Sequence, residues 1–278
     1  MNDLLRKMLD EAFGSGLFDG VIDILTMNPQ TKFPTAWGIM TTVYDRIMVP
    51  LGIGIMLIWF VCAFLEKTTH EDFTFEKWFL EFGKLIACQY IIVHGLELLA
   101  VFMSMGIALF KQIQNLGVAS LTSPDNLSHT AWHIITGKDW SENLGVMQAL
   151  GYMVIFLLPL LGSLIAQIII KVIAYSRLFE LFLRGAMAPL AFSDFFGQGM
   201  QGAGFKFLKN YFAVAIQGIV IYVILLLLSV IMIDVLAAHV TETMGLFIFL
   251  GIYFAVLFAA VALILKSLSL AKELVGVN

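Results

Sequence analysis

Charge is what this 278-residue sequence has least of. Only 13% of its residues are charged, against about a quarter in soluble globular domains. The net charge of −4 and the absence of any basic run exclude a nucleic-acid surface of the usual electrostatic kind. Cysteine is nearly missing too. Cys62 and Cys88 both lie inside apolar segments, which leaves no disulfide framework and no cysteine-based metal knuckle. The first 23 residues hold Asp3, Asp10, Glu11, Asp19 and Asp23 without an uninterrupted apolar core, so they do not read as a signal peptide. There is no Walker A run, no Ser-His-Asp order and no pair of catalytic carboxylates. Ser163 and Ser229 stand alone in apolar runs. No enzyme activity, cofactor or metal is expected.

What is present is apolar. Such residues make up 60% of the chain, 24 of them phenylalanine, with a mean hydropathy of +0.93. These values place the chain among all-α, polytopic integral membrane proteins. Residues 35–278 read as a helical membrane domain with about five spans, near 47–65, 85–110, 146–170, 211–233 and 245–265. Each exceeds the ~17 residues that a bilayer needs. Pro50 falls in the first turn of the first span and Pro159 is a kink site in the third. In the last span, Gly251, Ala255 and Ala259 repeat every fourth residue. Such a small-residue strip suits close helix packing, either within the chain or between subunits.

Residues 1–34 form a separate arm. Leu4, Leu5, Met8, Leu9, Ala12 and Phe13 recur at helical spacing opposite Arg6, Lys7, Asp10 and Glu11, and the pattern resumes after a Gly14–Gly16 break. This is an amphipathic helix or pair of helices, suited to a membrane surface or to a partner or sibling subunit. Asn28-Pro29 and Phe33-Pro34 mark a turn, with a helix restarting near Thr35.

The segment 177–209 is apolar yet charged, and carries a proline and a cluster of glycines. Arg177, Glu180 and Arg184 fall along one side of a helix, with Glu180 and Arg184 at ion-pair spacing. Gly185, Pro189 and the later glycines predict a broken or re-entrant segment. With five spans, ten of the sixteen Lys and Arg residues lie on the side of this segment and the C-terminus. The C-terminus is therefore expected to be cytoplasmic and the N-terminus outside. A six-span alternative, with 178–196 crossing as well, puts both ends inside.

Few polar groups could carry chemistry. Gln89, His94, Glu97 and Ser104 share one face of the second span, with His94 and Glu97 within hydrogen-bonding reach. Ionisable groups within a span suggest a proton relay or substrate path. The alternative is a pair that satisfies itself, or meets Gln148 or Gln167, and so holds the bundle together. His129 and His133 stand at i, i+4 but lack a zinc-protease motif, and no metal site is read there. The match of Gly197-Gln198-Gly199-Met200-Gln201-Gly202 to a dinucleotide fingerprint lacks the strand–helix context and is taken as chance.

The run Arg177, Arg184, Pro189, Leu190 and Ala191, with Phe205-Lys206-Phe207-Leu208-Lys209 leading into the fourth span, resembles the TrbL-like family. Five spans and an outside N-terminus fit the same plan, over roughly residues 40–270. These are polytopic membrane subunits of conjugative type IV secretion machines. The resemblance implies an oligomeric platform or channel subunit in the bacterial cytoplasmic membrane. Its partners would be lipid, copies of itself, other secretion subunits and a cytoplasmic ATPase. Translocated DNA is a further partner for which no contact site can be named. It also implies that Arg177, Glu180, Arg184, Pro189, Asp194, Lys206 and Lys209 serve partner docking. The loop between the second and third spans is shorter than in many members. A stand-alone transporter or channel using Gln89, His94 and Glu97 is the competing expectation.

Overall fold

A computed structural model describes residues 2–13, 20–70, 75–115, 124–198, 201–239 and 245–277. The Gly14–Gly16 break and Gly199 of the glycine run lie outside the described residues. The described residues form helices α1 (Asn2–Phe13), α2 (Val21–Thr26), α3 (Pro29–Lys32), α4 (Pro34–Val43), α5 (Val49–His70), α6 (Phe75–Asn115), α7 (Pro124–Thr136), α8 (Val146–Phe192), α9 (Phe195–Gln198), α10 (Ala203–His239), α11 (Gly245–Leu265) and α12 (Ser267–Val275). No strand occurs among them. The fold is all-α.

Among the described residues, four helical stretches are long and apolar enough to cross a bilayer: Pro34–Glu66, Trp78–Asn115, Val146–Gly197 and Ala203–Met232. A fifth is added when Leu250–Leu265 and Ser267–Val275, bent at Lys266, count as one. The chain is a multi-pass membrane protein. Its helices are longer than the expected spans. The 47 residues of α8 reach about 70 Å at 1.5 Å per residue, more than twice the ~30 Å hydrocarbon core.

Two expectations about breaks need correcting. Helix α8 does not stop at Gly185 or Pro189; it continues through both to Phe192. The break comes at Ser193–Asp194, before the one-turn helix α9. A proline ring presses on the carbonyl four residues earlier. For Pro189 that residue is Gly185, which has no side chain to crowd the same turn. Because no turn separates Ile170 from Leu178, the third span cannot reverse direction there. Residues 178–192 therefore continue the third helix and form no separate crossing of their own.

Pro50 likewise lies inside a helical rod and not at its start. The rod begins at Pro34 and passes through a π-helical turn at Tyr44–Met48, where the Val49 N–H donates to the Tyr44 carbonyl, before continuing as α5. The wider turn makes room for the Pro50 ring against the preceding backbone.

The chain divides into two compact units. The first contains 1–26, 109–175 and 218–267. Here α1 packs on α7, burying Leu5, Leu9 and Ala12 with Trp132. The Arg6 guanidinium lies over the rings of Trp132 and Trp140, at 5.5 and 5.9 Å, a cation–π arrangement. The Tyr253 hydroxyl donates to the Ala12 carbonyl at 3.0 Å. Leu5, Leu9 and Ala12 of the apolar face of α1 are thus covered by its own chain, while Leu4 stays exposed.

The second unit contains 27–108, 176–217 and 268–278. Its core holds Tyr44, Met56, Ile92, Leu99, Leu181, Ala188, Phe192, Tyr211 and Val214. The Tyr44 hydroxyl donates to the Ile92 carbonyl at 2.7 Å and accepts from the Leu96 N–H at 3.1 Å. It is therefore placed between two groups that are partners in the α6 ladder. Gly95 makes the approach feasible, since a Cβ there would run into the Phe192 ring and stand 2.9 Å from the hydroxyl. Tyr44→Phe is expected to destabilise the protein by only about 1 kcal/mol, because the α6 ladder can close again once the hydroxyl is gone. Thermal unfolding in mild detergent measures it.

Candidate functional site

The segment expected to dock partners is placed in the second unit, and its residues divide sharply. Arg177 is buried, with 5% of its surface exposed. Its Nε donates to the Val214 carbonyl and its Nη2 to the Ala215 carbonyl, both at 2.9 Å. A guanidinium presents its donors in a rigid fork, which here ties α8 to α10. Arg177 is thus held inside the unit and not at its surface. Pro189 is buried as well.

Glu180 and Arg184 are half-buried and paired, with Arg184 Nε 2.9 Å from Glu180 Oε1 and Nη2 bonded to the same oxygen. Asp194 Oδ2 accepts from the Ala203 N–H at 2.6 Å. The carboxylate thus satisfies a free donor of the first turn of α10, where negative charge is favoured. Asp194→Ala is expected to cost about 0.5–2 kcal/mol, the range for a lost helix cap, and Asp194→Asn less. Faster protease cutting near residues 193–203 would report it. Lys206 is exposed and Lys209 half-buried, its Nζ lying 5.3 Å from the Phe205 ring centre. Of the docking candidates, Lys206, Lys209 and the Glu180–Arg184 pair remain accessible.

The polar face of α6 is present but points away from the core. Gln89, His94, Glu97 and Ser104 are all exposed, whereas Ile92, Gly95 and Leu99 of the same helix turn inward. His94 Nδ1 lies 3.5 Å from Glu97 Oε1, with 43% and 81% of the two side chains exposed. The His94 ring also packs on Tyr90, centroids 4.4 Å apart. An uncompensated charge facing hydrocarbon costs about 2.5–3.5 kcal/mol on insertion scales. This face is therefore ill suited to lipid.

Several relevant residues were not singled out from sequence. Glu81 is buried on α6 and takes an ion pair from Lys84 at 3.0 Å. Asp45 and Arg46, in the π turn, are exposed. The available signal was their position at the edge of the nineteen-residue uncharged run Ile47–Leu65.

In the first unit, Gly251, Ala255 and Ala259 are exposed, and a Cβ on Gly251 would meet nothing within 4 Å. Among the described residues the strip is thus left open on its outer side. Ala255 and Ala259 line a wholly apolar groove of about 360 Å³ beside Ile224, Leu228 and Ile231. His129 is stacked on Trp140, centroids 4.2 Å apart.

Comparison with known families matches residues 19–189 to the family described as TrbL/VirB6 plasmid conjugal transfer like protein. The chain belongs to that TrbL/VirB6-like family. The match covers the first two candidate spans and the third as far as Pro189, so it includes Arg177 itself, the Glu180–Arg184 pair and the outward polar face of α6. Membership makes the chain a membrane component of a conjugal transfer system of the bacterial inner membrane. The TrbL/VirB6-like family is a structural component of such systems and not a known enzyme family. No curated protein and no solved structure matches the chain.

Proposed function

We propose that the chain is a platform or channel subunit of a conjugative type IV secretion machine. It assembles with copies of itself and with other membrane subunits, docks a cytoplasmic ATPase and supports passage of DNA or protein. It acts structurally, without catalysis or cofactor. The observation that carries this reading is the unfinished membrane surface. Of the apolar core of the first span, 11% is buried, and the adjoining helix turns Gln89, His94 and Glu97 outward. A subunit that works alone would direct its ionisable groups into its own bundle; one that works in an assembly leaves them for neighbours. For the same reason a stand-alone transporter relying on these three residues is not favoured. The docking role falls to Lys206, Lys209 and the Glu180–Arg184 pair.

Tagged purification from native membranes in mild detergent, with partners identified by mass spectrometry, tests the proposal. A secretion ATPase and further transfer subunits in fixed ratio are expected. A lone oligomer after cross-linking would overturn it. We also place the N-terminus outside and the C-terminus in the cytoplasm, following the ten-to-six distribution of Lys and Arg. In a cysteine-free background, a cysteine at the exposed Ser141 is expected to label from outside intact cells, and one at the exposed Lys206 is not. The reverse pattern would invert the topology.

A further inference from the structure

We propose that the exposed charges level with Tyr44 form the contact between neighbouring copies of this chain in the membrane, Arg46 of one copy meeting Glu97 of the next. The inference rests on the homo-oligomeric reading above and names the surface that makes the oligomer. Two charged groups stand out on otherwise apolar exposed helix. Asp45 and Arg46 lie in the π turn of the first rod, and neither has an ion pair among the described residues. His94 and Glu97 lie on the outer side of α6 and, among the described residues, form an ion pair with each other. Both groups belong to the second unit.

Their heights along the helices agree. The Tyr44 hydroxyl bonds the Ile92 carbonyl and the Leu96 N–H, so the residues just after Tyr44 stand level with the turn that carries His94 and Glu97. Height decides what can meet in a ring. Subunits related by rotation about the membrane normal keep every atom at its own depth, so a group can touch only what lies at the same depth on the neighbour's opposite flank. Tyr44 faces α6, and Arg46, two residues on, projects about half a turn away from it, on the far side of the rod. Glu97 lies about 150° from the inward line of Ile92, Gly95 and Leu99, so it projects from the far side of α6, with His94 as its neighbour. Set side by side, Arg46 faces Glu97 and Asp45 faces His94, each with opposite or hydrogen-bonding character. An arginine–carboxylate pair is also the strongest and most directional match available to these side chains. A second copy therefore completes both groups at once, whereas hydrocarbon completes neither.

The test uses the full-length chain in native membranes with Cys62 and Cys88 replaced by serine. Two differently tagged forms, Arg46→Cys and Glu97→Cys, are produced together and treated with a short bifunctional maleimide. A mixed dimer of twice the 30.9 kDa chain mass is expected, and no dimer from either form alone. Separately, Arg46→Glu or Glu97→Arg is expected to lower the oligomeric fraction on native gels by about tenfold or more, since each sets like charges together. The double reversal is expected to restore it. Absence of the mixed dimer, with both single reversals leaving the oligomer intact, overturns this contact while leaving self-assembly standing. Cross-linking of both cysteines to other secretion subunits also overturns it. A monomeric parent protein removes the homo-oligomeric reading itself, and the contact with it.

Discussion

Arg177→Glu is expected to abolish accumulation of folded protein in the membrane. The substitution puts a carboxylate where a buried guanidinium now donates to the carbonyls of Val214 and Ala215. Oxygen would then face oxygen, and an uncompensated buried charge typically costs 3–5 kcal/mol, a large fraction of the stability of a folded domain. Arg177→Met removes the charge along with the fork. The two carbonyls lie inside α10 and keep their helical partners, so this variant is expected to be far milder. The contrast distinguishes a structural clamp from a docking residue. If Arg177 served a partner, both variants would leave a folded subunit and lose the partner. Membrane abundance and the detergent melting temperature separate the two cases.

Gly106→Val is expected to have the next largest effect, at the same junction. A Cβ on Gly106 would stand 2.8 Å from the Ala215 carbonyl oxygen and 3.3 Å from its carbon. The obstacle is backbone, which cannot rotate aside like a side chain. Helices α6 and α10 must therefore separate, and overpacking of this kind costs about 1–3 kcal/mol. Separation also displaces the oxygen that Arg177 uses. The combined effect of Gly106→Val with Arg177→Met should accordingly be smaller than the sum of the two alone, because the first already weakens what the second removes. Melting temperatures of the four forms give the coupling. Independent, additive losses would show that the carbonyl is not shared in the way described.

Much of the architecture was legible because it follows from composition and local chemistry. Apolar runs longer than a bilayer needs identified a helical membrane protein, and Asn28-Pro29 and Phe33-Pro34 marked the start of the first long rod within one residue. The short run from Arg177 to Ala191 also led to the right family. Other features depended on three-dimensional context. Helical spacing places Gln89, His94 and Glu97 on a common face but does not say whether that face turns inward, which is decided by what Ile92, Gly95 and Leu99 pack against. Proline and glycine signal a break on average, yet Pro189 is carried through because the residue beneath its ring is Gly185. Arg177 reads as a surface charge until α10, thirty-seven residues further along, supplies carbonyls to receive it. Asp194 looks like one more docking charge until the chain returns at Ala203 for it to cap. In each case the missing information is the identity of a distant neighbour.

The bond between Tyr253 and Ala12 sets an order of events during synthesis. Its two residues are 241 positions apart, and at 5–20 residues per second the ribosome needs about 12–50 s to pass from one to the other. Throughout that interval α1 has been made while its final anchor has not. Trp132 of α7 arrives about halfway and can already shelter Leu5 and Leu9, so the arm is held first by the middle of the chain and fastened last by its end. Closure of this bond thus marks a chain whose synthesis has passed Tyr253. A nascent chain stalled before the last span keeps an arm that is seated but not yet locked.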